Sequence, residues 1–412
     1  MSLLLQRFRA EVSKSKDVKM KTETQQNIGH PSGFLGFDFL NGTVVHVKTK
    51  TQEFKYYSVG VVDGSINMLI GRSGCGKTTF ATQCAANIVR PFPTSCVFHD
   101  DIENGIIESR KMILTRFSED IIDKKYIARN SGITAENFFE RLRMIHDLKM
   151  ADPAAYSYDT GYLDIHGNPI IKMEPTVYIL DSLALLMPEK YADETEVSGQ
   201  MSATAAAKSN SLIFKRMMQI LKPANIILIV INHILDDVSI NPMQKKKASI
   251  GWLKQGETLP GGKEPQYLSN NIIRFDDNTK LKEDKDFGID GNLVDISLVK
   301  SRQSKSGKSI TAVFHYDTGF DPELSLLVML KQAGRVNGAG AYLYIDDYKE
   351  KKFAQKNFKS LLNKDPEFQR IVMDAAIPCL QDLVYDSQLD YLLNDETTSI
   401  TDNILDRLKV AI

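Results

Sequence analysis

The sequence predicts an α/β fold, a mostly parallel sheet with helices on both faces, and three observations predict it. Unbroken apolar segments at residues 176–180 (TVYIL) and 226–231 (IILIVI) read as strands buried on both sides. Segments of helical spacing alternate with them, such as residues 137–148, with Phe138, Phe139, Leu142 and Ile145 on one face. A third apolar strand, residues 66–70, runs through a glycine-rich turn into helical residues 79–90, a strand–turn–helix unit.

Length and composition bound the rest. At 412 residues the chain is long for a single core, so a large domain with a small appended one is expected. The apolar share of 42% and charged share of 25% are those of an ordinary globular protein. A net charge of −1 argues against a globally basic nucleic-acid binder, so any DNA contact must come from local patches. Cys75, Cys84, Cys96 and Cys379 make no C-x-x-C pair and read as reduced thiols. No apolar run approaches membrane-spanning length and no signal-peptide pattern opens the chain, so a cytoplasmic protein with no membrane contact is expected.

Taken in order, residues 2–12 carry Leu3, Leu4, Leu5 and Phe8 beside Arg7 and Arg9 and read as a short helix that docks on a partner. The charged run after it reads as a solvated linker. Residues 31–41 open the core with a turn and a short apolar helix, and residues 43–57 read as an inserted hairpin. After the glycine-rich turn and its helix, residues 95–99 (SCVFH) form a strand ending in acids. Residues 151–174 read as a hairpin or loop insertion, and residues 203–221 as a helix. The polar stretch 234–260 is long for a loop in a compact domain. Strands return at 271–275, 293–299 and 309–315; from residue 324 the pattern turns helical, with 353–380 a small helical domain and 381–412 an acid-rich tail.

The residues with chemistry to offer sit at strand ends. Gly71-Arg72-Ser73-Gly74-Cys75-Gly76-Lys77-Thr78 fits G-x-x-x-x-G-K-[ST] at every fixed position, with Thr79 continuing into the helix. Small residues let backbone N–H groups turn inward around phosphates, and the helix points its positive end at them. Lys77 is then placed to reach the β- and γ-phosphates of ATP, and Thr78 to join the shell of Mg2+. Asp181, closing the strand TVYIL, is the candidate second metal residue; a plain polar strand end is the alternative. Hydrolysis also needs a carboxylate to activate water, and Glu103 is the first candidate, Asp101 the second. Glu103 capping the next helix is the competing reading. Asn232-His233 ends another strand, where a polar pair can touch a γ-phosphate and report it to the long loop. Lys300 and Arg302 alternate along a late strand and so share a side. They either stabilise a transferring phosphoryl group, in their own subunit or a neighbour's, or are simply solvated.

In combination these segments resemble the RecA family of recombinases, and within it the UvsX-type branch of tailed phages. The likeness covers about residues 31–380 and implies a RecA-like P-loop ATPase core at 31–325. It also implies a short N-terminal helix and linker for subunit contact at 1–30 and a small C-terminal domain at 326–412. The family's D-x-E after the second strand matches Asp101-Ile102-Glu103, with Asp100 as an extra residue in the count. Its metal-site strand matches TVYILDS, and its γ-phosphate sensor matches Asn232-His233. That sensor opens a DNA-binding loop ending in Gly261-Gly262, here carrying Lys245, Lys246, Lys247, Trp252 and Lys254. Tyr267 falls where the family packs an aromatic against the next subunit, and Lys300 and Arg302 match its trans-acting cations. Arg110 stands where the family often stacks a Tyr on adenine, and the insertions at 43–57 and 151–174 have no counterpart.

The resemblance implies a helical filament on single-stranded DNA that pairs with homologous duplex DNA and exchanges strands at the expense of ATP. A single-strand-binding protein and a loading mediator are the implied partners, and a phage-encoded chain would act in the host cytoplasm. The lysines of the long loop would give salt-sensitive, sequence-tolerant backbone binding. A first DNA loop is expected near residues 189–203, and His233 is expected to anchor the long loop to bound ATP. Two rivals remain open: a hexameric helicase with the same core, and a non-catalytic recombination mediator.

Overall fold

A computed structural model describes residues 27–48, 53–164, 167–192, 199–236, 251–281, 289–339, 342–346 and 348–384. The expected N-terminal helix, residues 193–198 of the expected first DNA loop, residues 237–250 of the long loop and the acid-rich tail from 385 lie outside them. The fold is mixed α/β around a nine-stranded sheet. From edge to edge its strands are Gly319–Asp321, Lys308–His315, Gly291–Ser301, Asn271–Lys280, Ile66–Gly71, Ile226–His233, Thr176–Asp181, Val97–Asp101 and Tyr126–Arg129. The last six run parallel, and the other three continue from Asn271–Lys280 as an antiparallel meander.

The unbroken apolar strands are buried on both faces because helices cover both. Ile227, Ile229 and Ile231 face a cluster that includes Phe80, Cys84 and Ala85 of the helix Lys77–Val89. Ile226, Leu228 and Val230 face the other way, against Phe138 and Leu142 of Ala135–Ala151 and Phe214 and Met217 of Gly199–Met217. This period-two division of one strand between two cores holds the central strands in register.

Helix Ala135–Ala151 starts at a capping box, Thr134 accepting from the Asn137 N–H and Asn137 reaching back to the Thr134 N–H. Thr134→Ala should cost about 1 kcal/mol, readable as a shift in urea midpoint at constant slope. At its other end buried Lys149 donates to the carbonyls of Glu174 (2.7 Å) and Ala224 (2.9 Å). Burial pushes its ammonium down to about 8. The unfolded chain therefore holds more protons between the ordinary lysine value and pH 8, so stability rises with pH through that window and is lost as pH falls through it. Against Lys149→Met, the wild-type protein should gain up to about 3 kcal/mol between pH 8 and 10.5 in urea unfolding.

The two insertions form one unit. The hairpin Thr43–Lys48/Glu53–Ser58 and the hairpin Ser157–Leu163/Pro169–Met173 join through a Lys48–Leu163 pairing into a four-stranded sheet. At the C-terminal side, helix Pro322–Gln332 runs across residue 325, where a domain boundary was expected. The helices Phe358–Lys364 and Pro366–Gln381 carry Phe358, Phe368 and Ile371 into the cluster that holds Leu327 and Phe80. A small hairpin, Val336–Ala339 with Tyr342–Ile345, was not foreseen. Among the described residues no helix is long and apolar enough to cross a membrane.

Candidate functional site

The parallel strands deliver their polar residues to one end of the sheet, at the strand C-termini. Register pairs His233 with Gly71, and Asp181 with Asp101. At Gly71 a side chain would stand 2.6 Å from the Phe275 carbonyl, and Gly76, with φ +82°, abuts the Phe320 ring. Only glycine suits both positions. Helix Lys77–Val89 begins at this turn with no side-chain cap, which leaves its first N–H groups directed into the loop. The helix starts two residues earlier than expected, so Lys77, Thr78 and Thr79 are its first turn.

Buried Lys77 rests on the loop itself, donating to the carbonyls of Gly71 (3.0 Å) and Arg72 (2.7 Å). The Cys75 thiol also donates to the Arg72 carbonyl, while Ser73 and Gly74 form the exposed crest. Arg72 leaves the crest for a two-point ion pair with Asp236, at 2.6 and 3.0 Å, at the foot of the long loop. Thr78 Oγ1 donates to Asp181 Oδ2 at 2.5 Å, and Asp181 Oδ1 is buried without a partner. Burial pushes the Asp181 carboxyl up to about 7; the charges of Glu103 and Asp101 add to the rise, and Thr78 and Lys77 oppose it.

The strand expected at 95–99 is Val97–Asp101, so two acids lie inside it and alternate between faces. Asp100 is a structural anchor, accepting from the Tyr178 hydroxyl at 2.7 Å and from Arg129 at 3.1 Å. Asp101 faces Asp181, and its two oxygens accept the N–H groups of Gly105 and Ile106, each at 3.0 Å. Glu103 reaches outward, with Oε1 2.6 Å from His233 Nε2. Burial raises its carboxyl, but the adjacent Ser182 hydroxyl and His233 outweigh that and hold it below the ordinary glutamate range. It does not cap the next helix, whose cap is Ile107.

Among the described residues the His233 side chain meets Glu103, and Asn232 holds the end of the long loop, donating from Nδ2 to the Pro260 carbonyl at 2.9 Å beside Gly261 and Gly262. Those glycines have φ of +87° and +95°, and a side chain on Gly261 would strike Leu183. The exposed aromatic and basic patch is also less free than its sequence implies. The Trp252 indole donates to Gln266 at 2.9 Å and packs on the core, and Lys254 lies 3.7 Å from Asp276. Lys245, Lys246 and Lys247 lie outside the described residues. Arg110 donates to the Asp317 carbonyl.

Lys300 and Arg302 share a side, as expected, and are not brought to the phosphate loop. Lys300 donates to the carbonyls of Gln266 (2.8 Å), Tyr267 (2.7 Å) and Ser269 (2.8 Å), and Arg302 to that of Tyr267 (2.6 Å). Lys300 pairs with Ile272, which pairs with Met68, while Gly71 pairs with Phe275. That offset is about 10 Å along the strands, on a strand two places away. Within one chain the pair cannot reach the loop, which removes the own-subunit role. Burial, and then the charge of Arg302, lower the Lys300 ammonium to about 8.

Sequence reasoning missed three partners: Asp236 for Arg72, His233 for Glu103, and His99, two residues before Asp101 and on the same face of its strand. The period-two rule applied to VFHDD would have flagged the last. No model of a known protein family matches the chain, and no curated protein does.

Proposed function

We propose that the chain is an ATP-dependent DNA recombinase, hydrolysing ATP at Gly71–Thr78 and assembling on single-stranded DNA to pair and exchange it with homologous duplex DNA. The observation that carries the hydrolytic part is the contact between Thr78 and Asp181, with Glu103 at the next strand end. A nucleotide-free turn of this kind would have no reason to bring those three together. The fit to Mg2+ rests on an all-oxygen pair, the Thr78 hydroxyl and a buried Asp181 oxygen without a partner. When bound, Mg2+ neutralises charge on the β- and γ-phosphates.

The remaining roles fall to the chain's own groups. Lys77 exchanges its carbonyl contacts on Gly71 and Arg72 for phosphate oxygens. Glu103, ionised at neutral pH, takes the proton of a water that attacks the γ-phosphorus as the bond to the ADP oxygen breaks. His233 holds Glu103 in place, and Asn232 ties the strand end to Pro260 and so to the loop that would grip DNA. Lys300 and Arg302 serve the loop of a neighbouring copy. Their place toward the opposite end of the sheet suits head-to-tail contacts, which propagate as a helix unless the rotation closes. The DNA part of the reading rests on the motif order and on the glycine-ended loop.

Electron microscopy with single-stranded DNA and a slowly hydrolysed ATP analogue tests the assembly. Continuous helical filaments are expected, together with ATPase activity that rises with single-stranded DNA. Closed rings would replace the reading with a hexameric helicase. Bare DNA with no stimulated ATPase would replace it with a mediator.

A further inference from the structure

We propose that His99, Asp101 and Asp181 form a protein-held site for one borderline divalent transition-metal ion, such as Mn2+, Co2+ or Zn2+, that fills without nucleotide. The three residues are 1%, 2% and 1% exposed, and one donor atom from each lies within 4.8 Å of the others. Metal bonds of about 2.0–2.2 Å put three ligands of one ion about 3.4–3.8 Å apart, so side-chain closure by up to about 1.4 Å completes the site.

Two independent features point to a ligand there. His99 Nε2 is buried with no hydrogen-bond partner and stands 4.0 Å from Asp181 Oδ2, and Asp181 Oδ1 is also buried and unpartnered. A polar atom sealed from water ordinarily has a partner, so orphans around one point mark a missing one. The second feature is charge. Asp101 and Asp181 face each other directly on adjacent strands, and no lysine or arginine among the described residues forms an ion pair with either. Lys77 is on carbonyls, and Arg129 and Arg141 are spent on Asp100.

The imidazole sets the class of ion. Mg2+ and Ca2+ favour oxygen, whereas a nitrogen with two carboxylates suits the borderline ions. Nδ1 of His99 lies 2.8 Å from the Tyr126 hydroxyl, which is 3.2 Å from Thr82 Oγ1. With Nδ1–H donating to Tyr126 and that hydroxyl donating on to Thr82, Nε2 keeps its lone pair for the ion, the usual outer support of a metal-binding histidine. Asp181 is shared with the proposed Mg2+ site, so the two ions would compete for it; no phosphate takes part in this one, and titration without nucleotide reads it alone.

Cobalt titration of the metal-stripped, nucleotide-free protein tests this by visible absorption. About one equivalent should bind with a d–d band, His99→Gln should weaken binding at least about 30-fold, and Tyr126→Phe about 10-fold. An absorption no different from Co2+ in buffer, or a His99→Gln protein that binds equally well, overturns the proposal. So does a thiolate charge-transfer band, which would put the ion on a cysteine. If His99→Gln fails to fold, Tyr126→Phe decides, and affinity within twofold of wild type overturns it. Loss of ATPase alone bears on the reading of the phosphate loop and leaves this result to stand by itself.

Discussion

Replacing Glu103 with Gln is expected to lower single-strand-stimulated ATP hydrolysis by about 10²- to 10³-fold while nucleotide affinity changes by less than a few fold. The amide keeps the size of the side chain and its contact with His233 and loses only the ability to take a proton. Glu103 is suited to that role because it reaches outward, to a position 32% exposed, and stays ionised. Asp101 is the control that separates the two candidates. Its oxygens already hold the Gly105 and Ile106 N–H groups, so Asp101→Asn should disturb the turn and the stability of the fold more than the chemical step. Turnover measured at saturating ATP, with affinity from a fluorescent nucleotide, distinguishes them. A Glu103→Gln enzyme with normal turnover, beside an inert Asp101→Asn one, would transfer the proton to Asp101. His233→Ala should fall between, slowing turnover without abolishing it, because it frees a carboxylate that remains present.

What could be read from the chain in advance was local. The glycine-rich turn is legible because its chemistry depends on eight adjacent residues, Gly71 to Thr78, and its flanking strand and helix are strongly patterned. Asp181 and Asn232 were legible as the ends of apolar runs. Pairings between distant segments were not. Thr78 meets Asp181 across 103 residues and Glu103 meets His233 across 130, and no periodicity carries that information. The same limit hid the union of the two insertions, each legible as a hairpin, through a single Lys48–Leu163 pairing. The hairpin Val336–Ala339/Tyr342–Ile345 escaped for a different reason. Its strands are only four residues each, and Gly338 interrupts the first, so no alternation marks it. Which subunit's loop the cations could serve was not legible along the strand. Lys300 and Arg302 look catalytic in sequence, and only the register reveals that they sit toward the far end of their own sheet.

Asp181→Asn should make the metal-free protein more stable and abolish the proposed ATP hydrolysis, two effects of opposite sign from one oxygen. The carboxyl sits between Thr78, Asp101 and Glu103 with one oxygen unpartnered, and its burial with two acids nearby raises it to about 7. Its folded value lies above its unfolded one, so the stability it contributes is fully present below about pH 4 and is lost as pH rises through 7. At pH 8 without metal the folded chain therefore carries an ionised, uncompensated acid, at a cost of a few kcal/mol by linkage. Asparagine removes that charge and can still accept from Thr78. Thermal unfolding at pH 8 in chelator should show the variant melting several degrees above wild type, with the difference shrinking toward pH 5. Adding Mg2+ and nucleotide should stabilise the wild-type protein and reverse the order, because only the carboxylate would complete the proposed cation site. Hydrolysis should fall by at least about 10²-fold, the usual scale for losing charge stabilisation at a transferring phosphoryl group. A variant less stable than wild type at pH 8 in chelator would mean that the acid is already compensated in the empty protein, and the cation-binding role of Asp181 would lose its physical basis.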